Sequence, residues 1–184
     1  MTKHLVFAIA LTGCYGTDAP APPATPKPVA IPAPVEPSGP PAGYVEMKAT
    51  EISSATGAGA VLLSTETGDL VLPIYIGGTE AASIERRLHN EPATRPLTHD
   101  LMDSVLRRLH TTIVKVQVDE LRRDVFGGTF IGSVYLRSAG KTFHVDARPS
   151  DAIALAVGNS APIYVAQKVL DAAGVPKDQI APTP

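Results

Sequence analysis

One short segment holds most of the side chains that could do chemistry. His144, Asp146 and Arg148 alternate with apolar residues, so they share one face of a predicted strand. Pro149 has no backbone donor and ends that strand. Ser150-Asp151 then opens a helix, where free N–H groups and the helix dipole favour anions. The segment therefore brings an imidazole, two carboxylates and a guanidinium together at a strand–helix junction.

These groups are the ones that phosphodiester hydrolysis needs. Asp146 and Asp151 are candidate ligands of a divalent ion, Mg²⁺ or Mn²⁺, which would activate water. Arg148 is a candidate phosphate clamp. Structural roles stay open for the same residues. Asp151 could instead stabilise the helix dipole from the first turn. Arg148 and Asp151 could form a local ion pair, and His144 could be a solvent-exposed strand residue.

A second candidate pair opens another predicted helix. Thr98 is a predicted N-cap, and His99 and Asp100 follow it beside free backbone donors. The alternative is an ordinary helix start, with Asp100 offsetting the dipole and His99 exposed. Glu80 lies in the first turn of a helix that Thr79 is predicted to cap. Its carboxylate could likewise do no more than offset the helix dipole.

The helix after Thr98 carries an apolar stripe at helical spacing, formed by Leu101, Met102, Val105, Leu106 and Leu109. We expect this stripe to pack against the sheet, which would place the start of the helix near a sheet end. If that end is the one at Pro149, then Asp146, Arg148 and Asp151 converge with His99 and Asp100.

The elements around these residues predict an α+β domain. Residues 45–50 alternate between apolar and polar side chains, as in a half-buried strand. Residues 60–63 and 70–76 flank a turn containing Gly68 and predict a hairpin. Further strands are expected at 112–119, 126–136, 142–147 and 162–165. With helices at 80–89, 98–109, 151–157 and 167–173, the class is a mainly antiparallel sheet with three to four helices in a single domain.

The first 43 residues differ from the rest. Residues 1–13 read as a signal peptide, with a cationic start and an apolar run of seven residues. Leu11-Thr12-Gly13-Cys14 resembles a bacterial lipobox, which predicts lipidation of Cys14; an ordinary secretory signal is the alternative. Residues 14–43 are predicted to form a linker, and the stretch 19–42 within it holds ten of the chain's 18 prolines. The folded domain is expected over 44–174, with a disordered tail at 175–184.

Composition limits the function classes. The formal net charge of −2 argues against a polybasic nucleic-acid binder. A single cysteine excludes a disulfide framework and multi-cysteine metal sites within the chain. The chain has no Trp and 5% aromatic residues, so a base-stacking platform is poorly supplied.

Three blocks of sequence resemble one known family. They are Leu72-Pro73-Ile74-Tyr75-Ile76-Gly77 with Glu80-Ala81, Arg95-Pro96-Leu97-Thr98-His99-Asp100-Leu101, and the segment Val145 to Ala156 that reads VDARPSDAIALA. With Pro162-Ile163-Tyr164-Val165 following, residues 44–174 resemble the bifunctional nuclease domain. The resemblance implies an α+β domain, often oligomeric, with nuclease activity on DNA and RNA.

The resemblance also implies which motif positions form the site. They are His99, Asp100, Asp146, Arg148, Ser150 and Asp151. This chain departs from its relatives at 157–159, where Val-Gly-Asn stands and relatives often carry a basic residue.

Two functions are consistent with these residues. The first is a nuclease tethered to the cell envelope through Cys14, where Tyr15 in place of Asp favours sorting to the outer membrane. The second is a non-catalytic binding or oligomerisation module of the same fold. The family resemblance and the acidic–His–Arg cluster favour the nuclease. The near-neutral charge and the few aromatic residues favour the module, and a homo-oligomer is expected as a partner in either case.

Overall fold

The protein folds around one sheet of eight strands. The structure is a computed structural model, and it describes residues 39–53, 59–125 and 127–180. The strands are β1 (Tyr44–Ser53), β2 (Gly59–Thr65), β3 (Leu70–Ile76), β4 (Thr112–Asp124), β5 (Gly127–Ser138), β6 (Lys141–Ala147), β7 (Ile163–Ala166) and β8 (Val175–Pro176). The helices are α1 (Gly78–Leu88), α2 (Thr98–Arg108), α3 (Pro149–Asn159) and α4 (Gln167–Ala173).

The strands follow the order β6-β5-β4-β7-β1-β2-β3-β8 across the sheet. Neighbouring strands are antiparallel except β4 and β7, which run parallel. A parallel pair needs a long crossover, and α3 lies in the connection between β6 and β7. The predicted α+β class with a mainly antiparallel sheet is confirmed.

The sequence patterns located the β2–β3 hairpin correctly. β2 pairs with β3 in register from Gly59–Ile76 to Ser64–Val71. Gly68 in the turn between them has a φ of +74°, a conformation that glycine adopts at little cost. In β1 the alternation places Met47 in the core, 2% exposed, between the exposed Glu46 and Lys48.

Helices α1 and α3 pack against each other and against the sheet. From Ala152 to Ala156 every residue of α3 is buried, which explains why this stretch is apolar all round. Pro149 occupies the first helical position, where its missing donor costs nothing. Arg148 is thereby fixed at the N-cap, at the point where β6 meets α3.

The predicted threonine caps are wrong. The N-cap of α1 is Gly77, and that of α2 is Leu97, neither of which caps the helix with its side chain. Thr79 lies inside α1 and donates its hydroxyl to Glu80 instead. The Asp100 carboxylate turns back to accept the Leu97 N–H at 2.9 Å, which satisfies a backbone donor at the start of α2.

Helix α2 is oriented opposite to the expectation. Leu101, Met102, Val105 and Leu109, predicted to pack against the sheet, are 43–63% exposed. The buried residues of α2 are the polar His99 and Asp103. Helical periodicity shows that a helix has two faces, but polar partners on α1 and α3 decide which of them turns inward.

Several predictions fall outside the described residues, namely those on the signal peptide, Cys14 and residues 15–38 of the linker. The segment expected to be a tail begins with β8, which pairs with β3, and continues with a 3₁₀ turn at Lys177–Gln179. Among the described residues, no helix is long and apolar enough to cross a bilayer.

Candidate active site

Arg148 lies at the centre of a charged cluster that joins α1 and α3. Its Nε donates to Asp151 Oδ2 at 2.7 Å and its Nη2 to Asp151 Oδ1 at 2.9 Å, a bidentate pair. Nη2 also lies 2.8 Å from Glu80 Oε1. The turn at Pro149 is what allows an N-cap arginine to reach a carboxylate three residues further along α3.

His99 extends the cluster to α2. Its Nε2 lies 3.3 Å from Asp151 Oδ1, and its Nδ1 lies 2.9 Å from the Ser83 hydroxyl on α1. An ionised carboxylate only accepts hydrogen bonds, so Nε2 must carry a proton in this arrangement. In the neutral imidazole, Nδ1 is then the acceptor and Ser83 donates to it. This chain of contacts fixes the plane and the tautomer of the ring.

The charged side chains of the cluster stabilise one another's ionised forms. The Thr79 hydroxyl, a backbone N–H and Arg148 together lower the pKa of Glu80. Asp151 first, and then Glu80, raise the pKa of Arg148. Both partners are therefore ionised at neutral pH. Glu80 is mostly covered, whereas the Arg148 side chain is 67% exposed.

One nitrogen of Arg148 remains available for a ligand. Nε and Nη2 make all of its hydrogen bonds with described residues, so Nη1 has no hydrogen bond to the part of the chain that the structure describes. A cavity of about 550 Å³ adjoins it, lined by Glu80, Ser83, His99, Asp151 and neighbours from the segment before α2. Two N–H groups on one nitrogen suit the oxygens of a phosphate or carboxylate.

The structure brings three of the six predicted site residues together, and they are His99, Arg148 and Asp151. Ser150 is 8% exposed and makes no hydrogen bond through its side chain with the described residues. Asp146 lies on the exposed strand β6, opposite Ser133 of β5.

Asp100 belongs to a second cluster. Arg87 of α1 donates from Nη2 to Asp100 Oδ1 at 2.8 Å and to Asp103 Oδ2 at 2.9 Å. Its Nη1 donates to the Ala154 carbonyl of α3 at 3.1 Å, and Asn159 donates to the other oxygen of Asp103 at 2.8 Å. The bond from the Leu97 N–H, more than Arg87, lowers the pKa of Asp100.

This second cluster also occupies the place where the sequence departs from its relatives. A Cβ built on Gly158 would lie 1.7 Å from Arg87 Nη1. The Arg87 guanidinium therefore packs directly on the backbone near the end of α3. A positively charged side chain is therefore present at the end of α3, but it is Arg87, which belongs to α1.

Sequence reasoning missed two members of the first cluster. Glu80 was noticed only as a helix start, although it stands in one of the three family blocks. Ser83 was not noticed at all, because its link to His99 joins residues 16 positions apart. The spacing of Glu80 and Ser83 by three residues places both on one face of α1, and that was the available signal.

The predicted metal ligands do not form a metal site in this arrangement. Both oxygens of Asp151 accept hydrogen bonds from Arg148, and Asp146 is on a different element. Among the described residues, no group of three or more His, Cys, Asp or Glu side chains is arranged to hold a metal ion.

Comparisons with known proteins match the region that contains both clusters. The bifunctional nuclease domain matches residues 61–178. An uncharacterized protein of Mycobacterium tuberculosis is 33% identical over 133 residues, which cover 72% of this chain and 77% of that protein. Bifunctional nuclease 1 of Oryza sativa subsp. japonica is 29% identical over 114 residues, which cover 60% of this chain and 33% of the rice protein. This chain therefore belongs to the bifunctional nuclease domain family.

Proposed function

We propose that the protein hydrolyses phosphodiester bonds of DNA or RNA at the cavity beside Arg148. The observation that carries this proposal is an exposed arginine, one nitrogen of which makes no hydrogen bond with a described residue, held by two carboxylates next to a histidine. The membership in a nuclease family supports the choice of phosphodiester over other anions.

Each group has a role that follows from its contacts. Arg148 Nη1 binds a non-bridging phosphate oxygen and offsets the negative charge that develops during attack by water. Glu80 and Asp151 hold the guanidinium in place. Asp151, which is also in contact with His99 Nε2, accepts the proton of the attacking water as the water oxygen bonds to phosphorus. The P–O bond to the leaving sugar oxygen breaks, and that oxygen takes a proton from solvent. Ser83 is a positioning residue, because it contacts His99 and not the substrate.

The decisive experiment compares two arginines of similar exposure. Arg148 is 67% exposed and paired with carboxylates, and Arg122 is 65% exposed and paired with Glu120 at 3.5 Å. Arg148→Ala should lower kcat/KM on labelled oligonucleotides by about 100-fold or more, the size typical for loss of a group that stabilises developing charge. Arg122→Ala, which removes the same charge elsewhere, should change it less than about twofold, as expected for a surface charge outside the site.

Both variants should unfold like the parent, since exposed salt bridges contribute about 1 kcal/mol or less. Single-stranded and duplex DNA and RNA are each tested with Mg²⁺, with Mn²⁺ and with EDTA. The requirement for a divalent metal stays a prediction, and loss of cleavage in EDTA would support it. A folded parent that cleaves none of the substrates under any condition would overturn the nuclease proposal.

We also propose that the domain is tethered to the cell envelope through a lipid on Cys14, in the outer membrane. The support lies in the sequence of residues 1–15 alone. Cys14→Ser should convert a membrane-bound protein into an unprocessed precursor, because lipid transfer requires the thiol. Fractionation of cells and the mass of the mature N-terminus measure this. Equal processing and equal partition of the Cys14→Ser variant and the parent would contradict the anchor.

One observation favours the alternative of a non-catalytic binding module, namely the outward apolar face of α2. Leu101 is 60% exposed and Leu109 is 63% exposed, and exposed apolar patches commonly mark interaction sites. If the protein is a non-catalytic binding module, the purified protein will cleave none of the nucleic acids. Arg148→Ala will then change the charge of the surface but no measured activity.

A further inference from the structure

The two edges of the sheet differ. At one end β8 is two residues long and pairs with only Leu70 and Val71 of β3, and both strands at this end contain a proline without a backbone donor, Pro176 in β8 and Pro73 in β3. β6 at the other end runs for seven residues, and among the described strands only β5 pairs with it. Unpaired N–H and C=O groups along such an edge are a template for another strand. A further strand can therefore add to the sheet at β6.

The two faces of β6 have different chemistry. Phe143 and Val145 are 46% and 47% exposed and lie on the face they share with Ala147. His144 and Asp146 lie on the opposite face. The His144 ring lies 5.5 Å from the ring of Tyr135. Asp146 makes neither a hydrogen bond nor an ion pair with any described residue. The strand thus offers an apolar face, a polar face and an unpaired carboxylate.

We propose that two copies of the chain join edge to edge through β6, antiparallel, about a twofold axis at Val145. In this register His144 of each copy lies opposite Asp146 of the other, which gives two imidazole–carboxylate pairs on the polar face. On the apolar face Val145 meets its own equivalent, and Phe143 meets Ala147. Cross-strand pairs of both kinds stabilise a sheet.

Charge complementarity selects both the occupant and the register. A shift by one residue would place Phe143 opposite a polar side chain, because it exchanges the two faces. Centring the axis on His144 would keep the faces but would place two imidazoles opposite each other and leave Asp146 opposite Thr142. An identical strand supplies both halves of the His144–Asp146 pairs. The contact is isologous and uses up the β6 edge, so it joins two copies and does not propagate.

This pairing gives Asp146 a role in assembly and does not depend on the nuclease proposal. It is tested on the 184-residue chain carrying Cys14→Ser, since Cys14 is the only cysteine. Directly opposed Cα atoms in antiparallel strands lie about 4.5–5.5 Å apart, within the range that a disulfide spans. With an added Val145→Cys, mild oxidation should link most of the protein into covalent dimers. Tyr75→Cys, at an exposed position on β3, should give at most a tenth of that yield.

Sedimentation tests the same pairing without a crosslink. The Cys14→Ser chain should sediment as a dimer, and Val145→Lys should raise its dissociation constant at least tenfold because it places two ammonium groups opposite each other. Tyr75→Lys is the matched control and should leave the constant unchanged. A monomer at tens of micromolar, or a dimer crosslinked through Val105→Cys on α2 and not through Val145→Cys, would overturn the proposal. Circular dichroism confirms that each variant is folded.

Discussion

Two arginines of this protein are each shared by two carboxylates, yet they differ in what they can do. Arg148 binds Glu80 and Asp151 and is 67% exposed, whereas Arg87 binds Asp100 and Asp103 and is 9% exposed. Arg87 also donates to the Ala154 carbonyl, so both of its terminal nitrogens are used within the fold. Arg148 keeps one terminal nitrogen that makes no hydrogen bond with a described residue. The same set of one arginine and two carboxylates therefore gives a buried link between helices in one place and an exposed, incompletely bonded guanidinium in the other.

The largest expected difference between the clusters is in stability. Arg87→Ala leaves Asp100 and Asp103 facing each other without a counter-ion, and breaking a buried pair by removing one partner costs about 3–5 kcal/mol. Asp100 is partly exposed, so we expect the lower end, about 3 kcal/mol. Urea unfolding of Arg87→Ala and Arg148→Ala measures this side by side, and Arg148→Ala should lose about 1 kcal/mol or less.

Loss of packing is a competing explanation for the Arg87 result, because its aliphatic stem is also covered. Arg87→Met keeps most of that stem and removes the guanidinium, that is, the charge together with its hydrogen bonds to Asp100, Asp103 and Ala154. If Arg87→Met is nearly as stable as the parent, the guanidinium is not what holds α1, α2 and α3 together. Equal losses for Arg87→Ala and Arg148→Ala would contradict the distinction between the clusters.

A smaller change tests how firmly Arg87 is held. Gly158→Ala places a Cβ 1.7 Å from Arg87 Nη1, so the guanidinium must shift and weaken its bond to Ala154. We expect a net loss of about 1–2 kcal/mol, since a weakened bond to a charged group outweighs the gain in helix propensity. Gly78→Ala is the control, because a Cβ there meets no atom within 4 Å. It should be neutral or slightly stabilising, and equal effects at both glycines would argue against a fixed guanidinium.

Sequence alone predicted the sheet far better than the placement of the helices. Alternation in 45–50 and the turn at Gly68 are local patterns, and both elements formed as expected. The stripe on α2 is equally regular, but its direction depends on Arg87, which lies in another helix. The same limit applies to the site. Arg148 and Asp151 are three residues apart and were paired from sequence, whereas Ser83 and His99 meet only through the packing of α1 on α2.

The smallest expected effect is a change in the stability of single-carboxylate variants as the pH falls. The pKa of Asp100 is lowered, chiefly by the bond from the Leu97 N–H. A group with a lowered pKa in the folded state stabilises the protein above its unfolded pKa, and this contribution is lost as the pH falls through the folded value. Asp100→Asn should therefore be less stable than the parent at pH 7, and the difference in melting temperature should shrink between about pH 5 and pH 3, around the ordinary pKa of Asp.

Glu80→Gln makes the matching measurement in the exposed cluster. The Thr79 hydroxyl lowers the pKa of Glu80 most, followed by a backbone N–H and Arg148, so the sign is the same and the difference should again shrink on acidification. Because the folded-state pKa of each carboxyl is lowered, the difference from the parent should vanish only at a pH below the ordinary value, where the carboxylate is protonated in the folded protein as well. A difference that stays constant or grows on acidification would mean that the carboxylate charge is not what stabilises that cluster.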